Sequence, residues 1–317
     1  MLKIQNISFD YGKHPILDQV SFNVKQGDYT AVIGESGSGK TTLLKLIYGY
    51  FDLIEGDIFW GDIAILGPKY NLVVGYDFMK YVAQEFDLMP YISVAENVGK
   101  FLSNFYPEEK RQRINELLKV VQLENVADIK VQFLSGGQKQ RVALAQAMAK
   151  QPEVLLLDEP FSHIDNFKKQ SLRRNLFSYL KSQNITCVVA SHDKDDVLGF
   201  ADQIIVLDQG KIIAQDSPKA LFKHPNNPLI ASFFGDYSVL KKSEILEGTT
   251  DENEVIVYAH QLEVVDKSHF KVNVIQSYFN GSYYLVKAHF NGKDVFFNSS
   301  VQFEEEAAVY LKYLDNS

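Results

Sequence analysis

Between an apolar run and a helical pattern lies a glycine-rich segment, Gly34-Glu35-Ser36-Gly37-Ser38-Gly39-Lys40-Thr41, which limits the folds open to this chain. Residues 29–33 before it are typical of a buried strand, and Leu43, Leu44 and Ile47 after it share one helical face. This is the pattern of a phosphate-binding loop in its required context. A chance glycine-rich turn is the alternative, and the flanking strand and helix disfavour it.

The loop predicts how phosphates would be held. Glycines let backbone N–H groups close on phosphate oxygens, and the start of the following helix adds positive potential. Lys40 would supply charge to the terminal phosphates, and Thr41 would ligate Mg²⁺. The residues expected to contact the nucleotide are Gly34, Glu35, Ser36, Gly37, Ser38, Gly39, Lys40, Thr41 and Thr42.

A second buried strand ends in two carboxylates. Residues 154–157 are Val-Leu-Leu-Leu, and Asp158 and Glu159 follow them. Parallel sheets present their ligands at the carboxyl ends of their strands. We expect Asp158 to hold Mg²⁺ and Glu159 to accept a proton from the attacking water. An acidic strand end that only caps a helix is the alternative, which the phosphate-binding loop disfavours.

The third motif, Leu134-Ser135-Gly136-Gly137-Gln138, directly precedes a helical pattern over residues 139–150. Its N–H groups would form a second anion-binding site at a helix N-terminus. The alternative is a glycine turn that only caps the helix and binds no ligand. The three motifs in this order resemble the ATP-binding cassette family of ATPases. The resemblance covers about residues 2–235.

The resemblance implies roles for residues that carry little signal alone. Tyr11 stands where the family stacks an aromatic ring on adenine, with a surface tyrosine as the alternative. Gln84 matches a glutamine that contacts the metal and the nucleophilic water. Asp165 matches a loop that couples two active sites, and His192 matches a histidine that contacts the terminal phosphate. The implied catalytic residues are Lys40, Gln84, Glu159 and His192, and the implied metal ligands are Thr41, Gln84 and Asp158.

The family closes two cassettes face to face. The resemblance therefore implies that the signature of one chain, Ser135, Gly136, Gly137 and Gln138, contacts the ATP held by Lys40 of the other. Because the sequence has one phosphate loop and one signature, a homodimer or a pairing with a second cassette is expected. The sequence departs from the usual pattern at His163, Ile164 and Gln146.

The predicted architecture is α/β followed by all-β. A P-loop NTPase cassette with a mostly parallel sheet spans 1–236, with a helical subdomain at about 85–150. A polar linker, 237–253, leads to a small barrel-like β domain at 254–317, where Asn280-Gly281 and Asn291-Gly292 predict tight hairpins. This order resembles importer ATPases for polyamines, ferric iron, sulfate, molybdate or sugars. The segment Ala259-His260-Gln261 replaces their arginine-proline-glutamate motif, which favours a dimerising role over a regulatory one.

Charge, cysteine content and hydropathy indicate where in the cell the protein works and which partners it has. The 40 acidic residues outnumber the 32 basic ones for a net charge of −8, which disfavours nucleic acid as a partner. A single cysteine, Cys187, forms no internal disulfide and fits a reducing compartment. The N-terminus lacks the pattern of a secretory signal, and no apolar run approaches a spanning length. We expect a peripheral position on the cytoplasmic face of a membrane.

The resulting hypothesis is an ATP-hydrolysing transporter subunit that works with membrane permease subunits and an external solute-binding protein, most consistent with import. The transported solute stays open. An exporter ATPase is one alternative, and a soluble cassette in DNA repair or translation is another. The latter is disfavoured because the 118 residues from Lys40 to Asp158 leave no room for a long coiled coil. Residues 86–91 are predicted to help grip a membrane subunit.

Overall fold

The structure is a computed structural model that describes residues 1–12 and 14–314. Its contacts divide the chain into two compact units, Met1–Pro218 and Lys219–Ser317. Among the described residues, no helix has both the length and the apolar character that crossing a bilayer requires.

The first unit is built on two sheets. Its strands are β1 (Leu2–Asp10), β2 (Pro15–Val24), β3 (Tyr29–Ile33), β4 (Glu55–Trp60), β5 (Ile63–Ala64), β6 (Met79–Val82), β7 (Val154–Asp158), β8 (Thr186–Ala190), β9 (Gln203–Asp208) and β10 (Lys211–Asp216). One sheet has the order β10-β9-β3-β8-β7-β6, parallel except for the β9–β10 hairpin. The other is antiparallel with the order β2-β1-β4-β5.

The central strands β3, β7 and β8 are buried at every position, as expected of parallel strands covered on both faces. Cys187 lies in β8 and is 1% exposed, and burial raises the pKa of its thiol. The predicted α/β cassette fold with a largely parallel sheet is therefore confirmed in this unit. The carboxyl ends of these strands form the edge where the predicted motifs follow.

Helices cover this sheet and form a separate helical region. They are α1 (Lys40–Tyr48), α2 (Val94–Val98), α3 (Pro107–Val120), α4 (Gly136–Met148), α5 (Asn166–Ser182) and α6 (Lys194–Val197), with short 3-10 turns at Glu124–Val126 and Val131–Phe133. In α3, Pro107 stands in the first turn with two glutamates, while Ile114, Leu117 and Leu118 are buried. This helix follows the sequence pattern because proline and acidic residues suit a helix start.

The second unit begins within a helix and is otherwise mostly β. Its elements are α7 (Pro218–Lys223), α8 (Pro228–Phe234), β11 (Tyr237–Lys241), α9 (Lys242–Ile245), β12 (Glu254–Tyr258), a 3-10 turn (Ala259–Gln261), β13 (Leu262–Val265), β14 (Phe270–Phe279), β15 (Tyr284–Phe290), β16 (Lys293–Ser299) and β17 (Ala308–Tyr313). An antiparallel sheet has the order β13-β17-β14-β15-β16, and β11 pairs with β12.

Alternating buried and exposed side chains along the strands explain why this unit folds as a β-sheet with a core on one face. Phe270, Val272 and Val274 point into its core from β14, and Val295 and Phe297 do so from β16. The β15–β16 turn has positive φ at both Asn291 (48°) and Gly292 (81°), as a tight hairpin requires. The interval 237–253 contains β11 and α9, in which Leu240 and Ile245 are buried, so apolar residues tie this polar stretch to the unit. The division by contacts at Pro218 lies before the expected boundary at 236 because Phe222 stacks on Tyr258 and His260.

Candidate active site

The glycine-rich loop wraps the start of α1. Gly39 precedes the helix with φ 106°, and a Cβ there would lie 2.8 Å from a methyl carbon of Leu17, so glycine is required. Lys40 Nζ donates hydrogen bonds to the carbonyl oxygens of Gly34 (2.8 Å) and Glu35 (2.9 Å). Burial lowers the pKa of Lys40, although the carboxylates of Glu159 and Asp158 favour its charged form. The backbone carbonyls of the loop thus hold the Lys40 side chain over the loop.

An open cleft brings most of the predicted site residues together at this edge of the sheet. Its lining residues are Tyr11, Ile16, Ser36, Gly37, Gly39, Lys40, Thr41, Thr42, Gln84, Asp158, Glu159 and His192. Gly34, Glu35 and Ser38 belong to the same loop but do not line the cleft, and Ser38 is 4% exposed. The hydroxyls of Tyr11 and Thr42 lie 3.3 Å apart.

Both oxygens of the Asp158 carboxylate accept hydrogen bonds. Thr41 Oγ1 donates to Oδ1 at 3.1 Å, and the Tyr81 hydroxyl donates to Oδ2 at 3.1 Å. Burial, together with the charge of Asp158 and the bond to it, raises the pKa of Tyr81 well above its usual value, so the hydroxyl stays a donor. Thr41, Asp158 and Gln84 offer hydroxyl, carboxylate and amide oxygens to one cleft, and such hard oxygen donors fit Mg²⁺.

Glu159 and His192 face each other across the ends of β7 and β8. The imidazole Nδ1 lies 2.7 Å from a carboxylate oxygen of Glu159. The Glu159 backbone has φ 51°, and its N–H donates to the carbonyl of Ala190 at 3.0 Å. A left-handed conformation is rare for a non-glycine residue and is often found at functional sites. The neighbouring strand thus holds the Glu159 backbone, and His192 contacts its carboxylate.

A buried arginine holds the segment that carries His192. Arg173 in α5 is 2% exposed and donates to Asp196 Oδ1 and Asp193 Oδ2, each at 2.5 Å. Ser191 donates to the other Asp196 oxygen at 2.5 Å and accepts from the Asp193 N–H at 3.0 Å. Burial raises the pKa of Asp196, although Ser191 and Arg173 act in the opposite direction. These bonds fix the residues on both sides of His192.

Arg173 is not among the predicted site residues, although the sequence carries a signal for it. The arginine lies beside Leu172, Leu176 and Phe177 on the buried face of α5. A charge on an apolar helix face needs buried partners, which the acidic run after His192 supplies.

The signature motif lies apart from this cleft. Ser135 caps α4: its Oγ accepts from the Gln138 N–H at 3.3 Å, and its own N–H donates to Gln138 Oε1 at 2.9 Å. A Cβ on Gly137 would lie 2.6 Å from the carbonyl oxygen of His163. Ser135 and Gly136 are exposed, and no signature residue contributes to the cleft lining. Within one chain, the structure therefore does not bring the signature to Lys40.

One further side chain connects α4 to the residues that follow β7. Gln140 Nε2 donates to the Glu159 carbonyl oxygen at 2.9 Å, and Gln140 Oε1 accepts from the His163 N–H at 3.1 Å. Gln140 is 1% exposed. The motif patterns did not single out this residue. Its position ties α4 to the loop that leaves Glu159.

Comparisons with known proteins decide the family. The sequence matches the family described as ABC transporter over residues 17–162. It is 35% identical to the Fe(3+) ions import ATP-binding protein FbpC 2 of Haemophilus influenzae, over 78% of this chain and 70% of that one. It is 36% identical to the spermidine/putrescine import ATP-binding protein PotA of Legionella pneumophila, over 86% and 74%. The chain belongs to the ATP-binding cassette family.

Solved structures agree with this assignment. A dimeric ATP-binding cassette in a post-hydrolysis state, bound to ADP and Pi, matches with a TM-score of 0.61 and 30% identity, over 69% of this chain and 99% of that chain. CbiO1 of Clostridium perfringens, part of the ABC transporter complex CbiONQ, matches with a TM-score of 0.62 and 29% identity, over 70% and 90%. The predicted family, cassette fold and ATPase activity are confirmed.

The cassette has a second concavity, which we call the aromatic groove. It is lined by rings from Tyr48, Tyr50, Tyr81, Phe86 and Phe101. Lysines 80, 100 and 150, and the acidic residues 85 and 87, also line it. Burial, then the charge of Lys150, lowers the pKa of Lys80. Within the segment 86–91, Phe86 lines the groove, while Met89 and Tyr91 are exposed.

Proposed function

We propose that this cassette is the ATP-hydrolysing subunit of an importer, bound to membrane permease subunits at the cytoplasmic face. The observation that carries its role in hydrolysis is the 2.7 Å contact between His192 Nδ1 and Glu159 in the cleft lined by Lys40. The direction of transport is supported by relatives named as import proteins for Fe(3+) ions and for spermidine/putrescine. A polyamine, ferric iron, an inorganic anion or a sugar is the proposed cargo.

Each cleft residue has a proposed part in hydrolysis. Tyr11 stacks on the adenine, and the loop N–H groups with Lys40 hold the phosphates. Thr41, Asp158 and Gln84 hold Mg²⁺, which when bound neutralises phosphate charge. Glu159 accepts the proton of the attacking water, and His192 keeps the Glu159 carboxylate oriented while its ring contacts the terminal phosphate. The chemistry is mainly electrostatic positioning.

The signature is proposed to act across a dimer. Ser135 and Gly136 are exposed and lie outside the cleft of their own chain, so an incoming cassette has access to them. Their N–H groups at the start of α4 would face the phosphates held by Lys40 of the partner. We assign ATP hydrolysis to residues 1–236, and stabilisation of the dimer to the β domain at 254–317.

The permease is proposed to dock in the aromatic groove, with residues 86–91 at its edge. Groove rings offer an apolar surface, and lysines and carboxylates beside them offer charged contacts of both signs. An external solute-binding protein would deliver the cargo to the permease.

The test is capture of partners from gently solubilised native membranes. Tagged Glu159→Gln chain would be purified with ATP and Mg²⁺, and bound proteins identified by mass spectrometry. Tagged Lys40→Ala chain, which should not hold ATP in a closed dimer, is the matched control. We expect a stoichiometric multi-span membrane protein, enriched in the first sample. Recovery with ribosomal or DNA-associated partners, and no membrane protein, would refute the transporter assignment.

A further inference from the structure

We propose that Tyr81 is a positioning residue that fixes the Asp158 carboxylate for metal binding and links it to the wall of the aromatic groove. The inference rests on the proposed function, because it concerns the Mg²⁺ used in hydrolysis. Tyr81 does not match any of the three sequence motifs, and its role follows from the packing of two adjacent strands.

Strand register explains how Tyr81 reaches the metal site. In the parallel pair β6–β7, Tyr81 stands opposite Leu156. Side chains two residues apart on a strand share a face, so Leu156 and Asp158 point to the same side of the sheet as Tyr81. The long phenol extends along this face toward the carboxyl edge, where its hydroxyl meets Asp158 Oδ2 at 3.1 Å. A shorter side chain at position 81 would not reach it.

The bond acts on the orientation of the carboxylate. Asp158 is 4% exposed, and its other oxygen already accepts from Thr41 at 3.1 Å. With both oxygens held by donors on opposite sides, rotation of the carboxylate about its terminal torsion is restricted. A ligand that is held in advance binds a metal more tightly, because less freedom is lost on binding.

The ring of Tyr81 belongs to a different surface. Its centroid lies 5.7 Å from the rings of both Tyr48 and Tyr50, and the three rings form one wall of the aromatic groove. One side chain therefore contacts the metal carboxylate with its hydroxyl and the groove with its ring. A partner segment that shifts the ring also shifts the hydroxyl, so the groove and the metal site are mechanically connected.

The test measures metal binding directly, in the full chain. Mn²⁺ would replace Mg²⁺, and its dissociation constant in the presence of ADP would be measured by electron paramagnetic resonance. We expect Tyr81→Phe to weaken Mn²⁺ binding by about tenfold, because a hydrogen bond to a charged group is lost. Binding of ADP without metal should not change. An unchanged Mn²⁺ dissociation constant would overturn the proposal.

Two further variants separate hydroxyl from ring. Tyr48→Phe removes a hydroxyl from the same ring cluster, and we expect no change in Mn²⁺ affinity; a loss equal to that of Tyr81→Phe would assign the effect to ring packing and overturn the proposal. Tyr50→Ala removes a neighbouring ring and should weaken Mn²⁺ by about threefold. An unaltered affinity in Tyr50→Ala would refute the link to the groove.

Failure of the proposed function gives a different result. If the unmodified chain binds neither ADP nor Mn²⁺–ADP, the ATPase assignment itself fails. If the unmodified chain binds ADP and Mn²⁺–ADP, and Tyr81→Phe binds Mn²⁺ with the same dissociation constant, only the role of Tyr81 fails.

Discussion

The imidazole Nδ1 of His192 lies 2.7 Å from the carboxylate of Glu159, across the ends of two adjacent parallel strands. The carbonyl of Ala190, the last residue of β8, also accepts the Glu159 N–H at 3.0 Å. The Arg173 network holds the residues on both sides of His192, Ser191 and Asp193. Hydrogen bonds thus hold the backbone of Glu159 and the two neighbours of His192.

Glu159→Gln should lower ATP turnover by about 10² to 10⁴, because a positioned proton acceptor contributes roughly that much. Nucleotide binding should be preserved, since glutamine has the same shape. Steady-state hydrolysis and equilibrium ATP binding would be measured together, with Glu305→Gln at an exposed loop as control. Full turnover in Glu159→Gln would remove Glu159 from the mechanism.

Complementation tests the shared site. Lys40→Ala and Ser135→Arg should each be inactive alone. After equimolar mixing, half of the dimers combine the two variants, and each has one intact site, so about a quarter of the original activity should return. The measurement is ATPase activity before and after mixing. No recovery would contradict a site formed by Lys40 of one chain and Ser135 of the other.

Arg173→Met should destabilise the fold by about 3–5 kcal/mol, because it leaves the buried carboxylate of Asp196 and the half-buried carboxylate of Asp193 without their cation. Urea unfolding would measure the change. Arg174→Met is the matched control, since Arg174 is exposed and neighbours Arg173. We expect the control to change stability by less than about 0.5 kcal/mol. Equal effects of the two substitutions would show that the Asp193 and Asp196 contacts contribute little.

A negative charge in the aromatic groove, at Phe101, or in the segment at its edge, at Met89, should weaken permease binding. Phe101 and Met89 are 51% and 44% exposed, so Phe101→Asp and Met89→Asp should leave the fold intact. Capture of the membrane subunit should fall by about tenfold, because a carboxylate must then be desolvated on docking. Phe279→Asp, which changes an exposed ring in the second unit, is the control. Undiminished capture by both Phe101→Asp and Met89→Asp would place docking elsewhere.

The stack of Phe222, Tyr258 and His260 should make the second unit sensitive to acid. Burial of the stacked ring lowers the pKa of His260 below its usual value of about 6.5, although the residue as a whole is exposed, which keeps the effect small. Between these two pKa values the unfolded chain binds more protons, so stability should fall as pH drops below about 6.5. Urea midpoints at pH 7.5 and 5.5 should differ more in the natural chain than in His260→Phe. An equal difference would exclude His260 as the cause.

The elements that depend on residues close together in the chain were predictable from the sequence. The loop before α1, the strand ending at Asp158 and the start of α3 depend on neighbours along the chain. Tyr81, Gln140 and Arg173 were not predicted as site residues, because their contacts depend on strand register and on how far a long side chain reaches. The strand β17 was also missed. It pairs with both β13 and β14, and pairing between distant segments leaves little trace in local composition.

The burial of Cys187 has a practical consequence. The sequence contains one cysteine, and its thiol lies inside the central sheet, 1% exposed, with a pKa raised by burial. Thiolates, not thiols, react with maleimide probes, so this position should stay unlabelled in the folded chain. A spin label or fluorophore introduced at a new surface cysteine would therefore report from one place, and opening and closing of the proposed dimer could be followed without first removing a natural thiol.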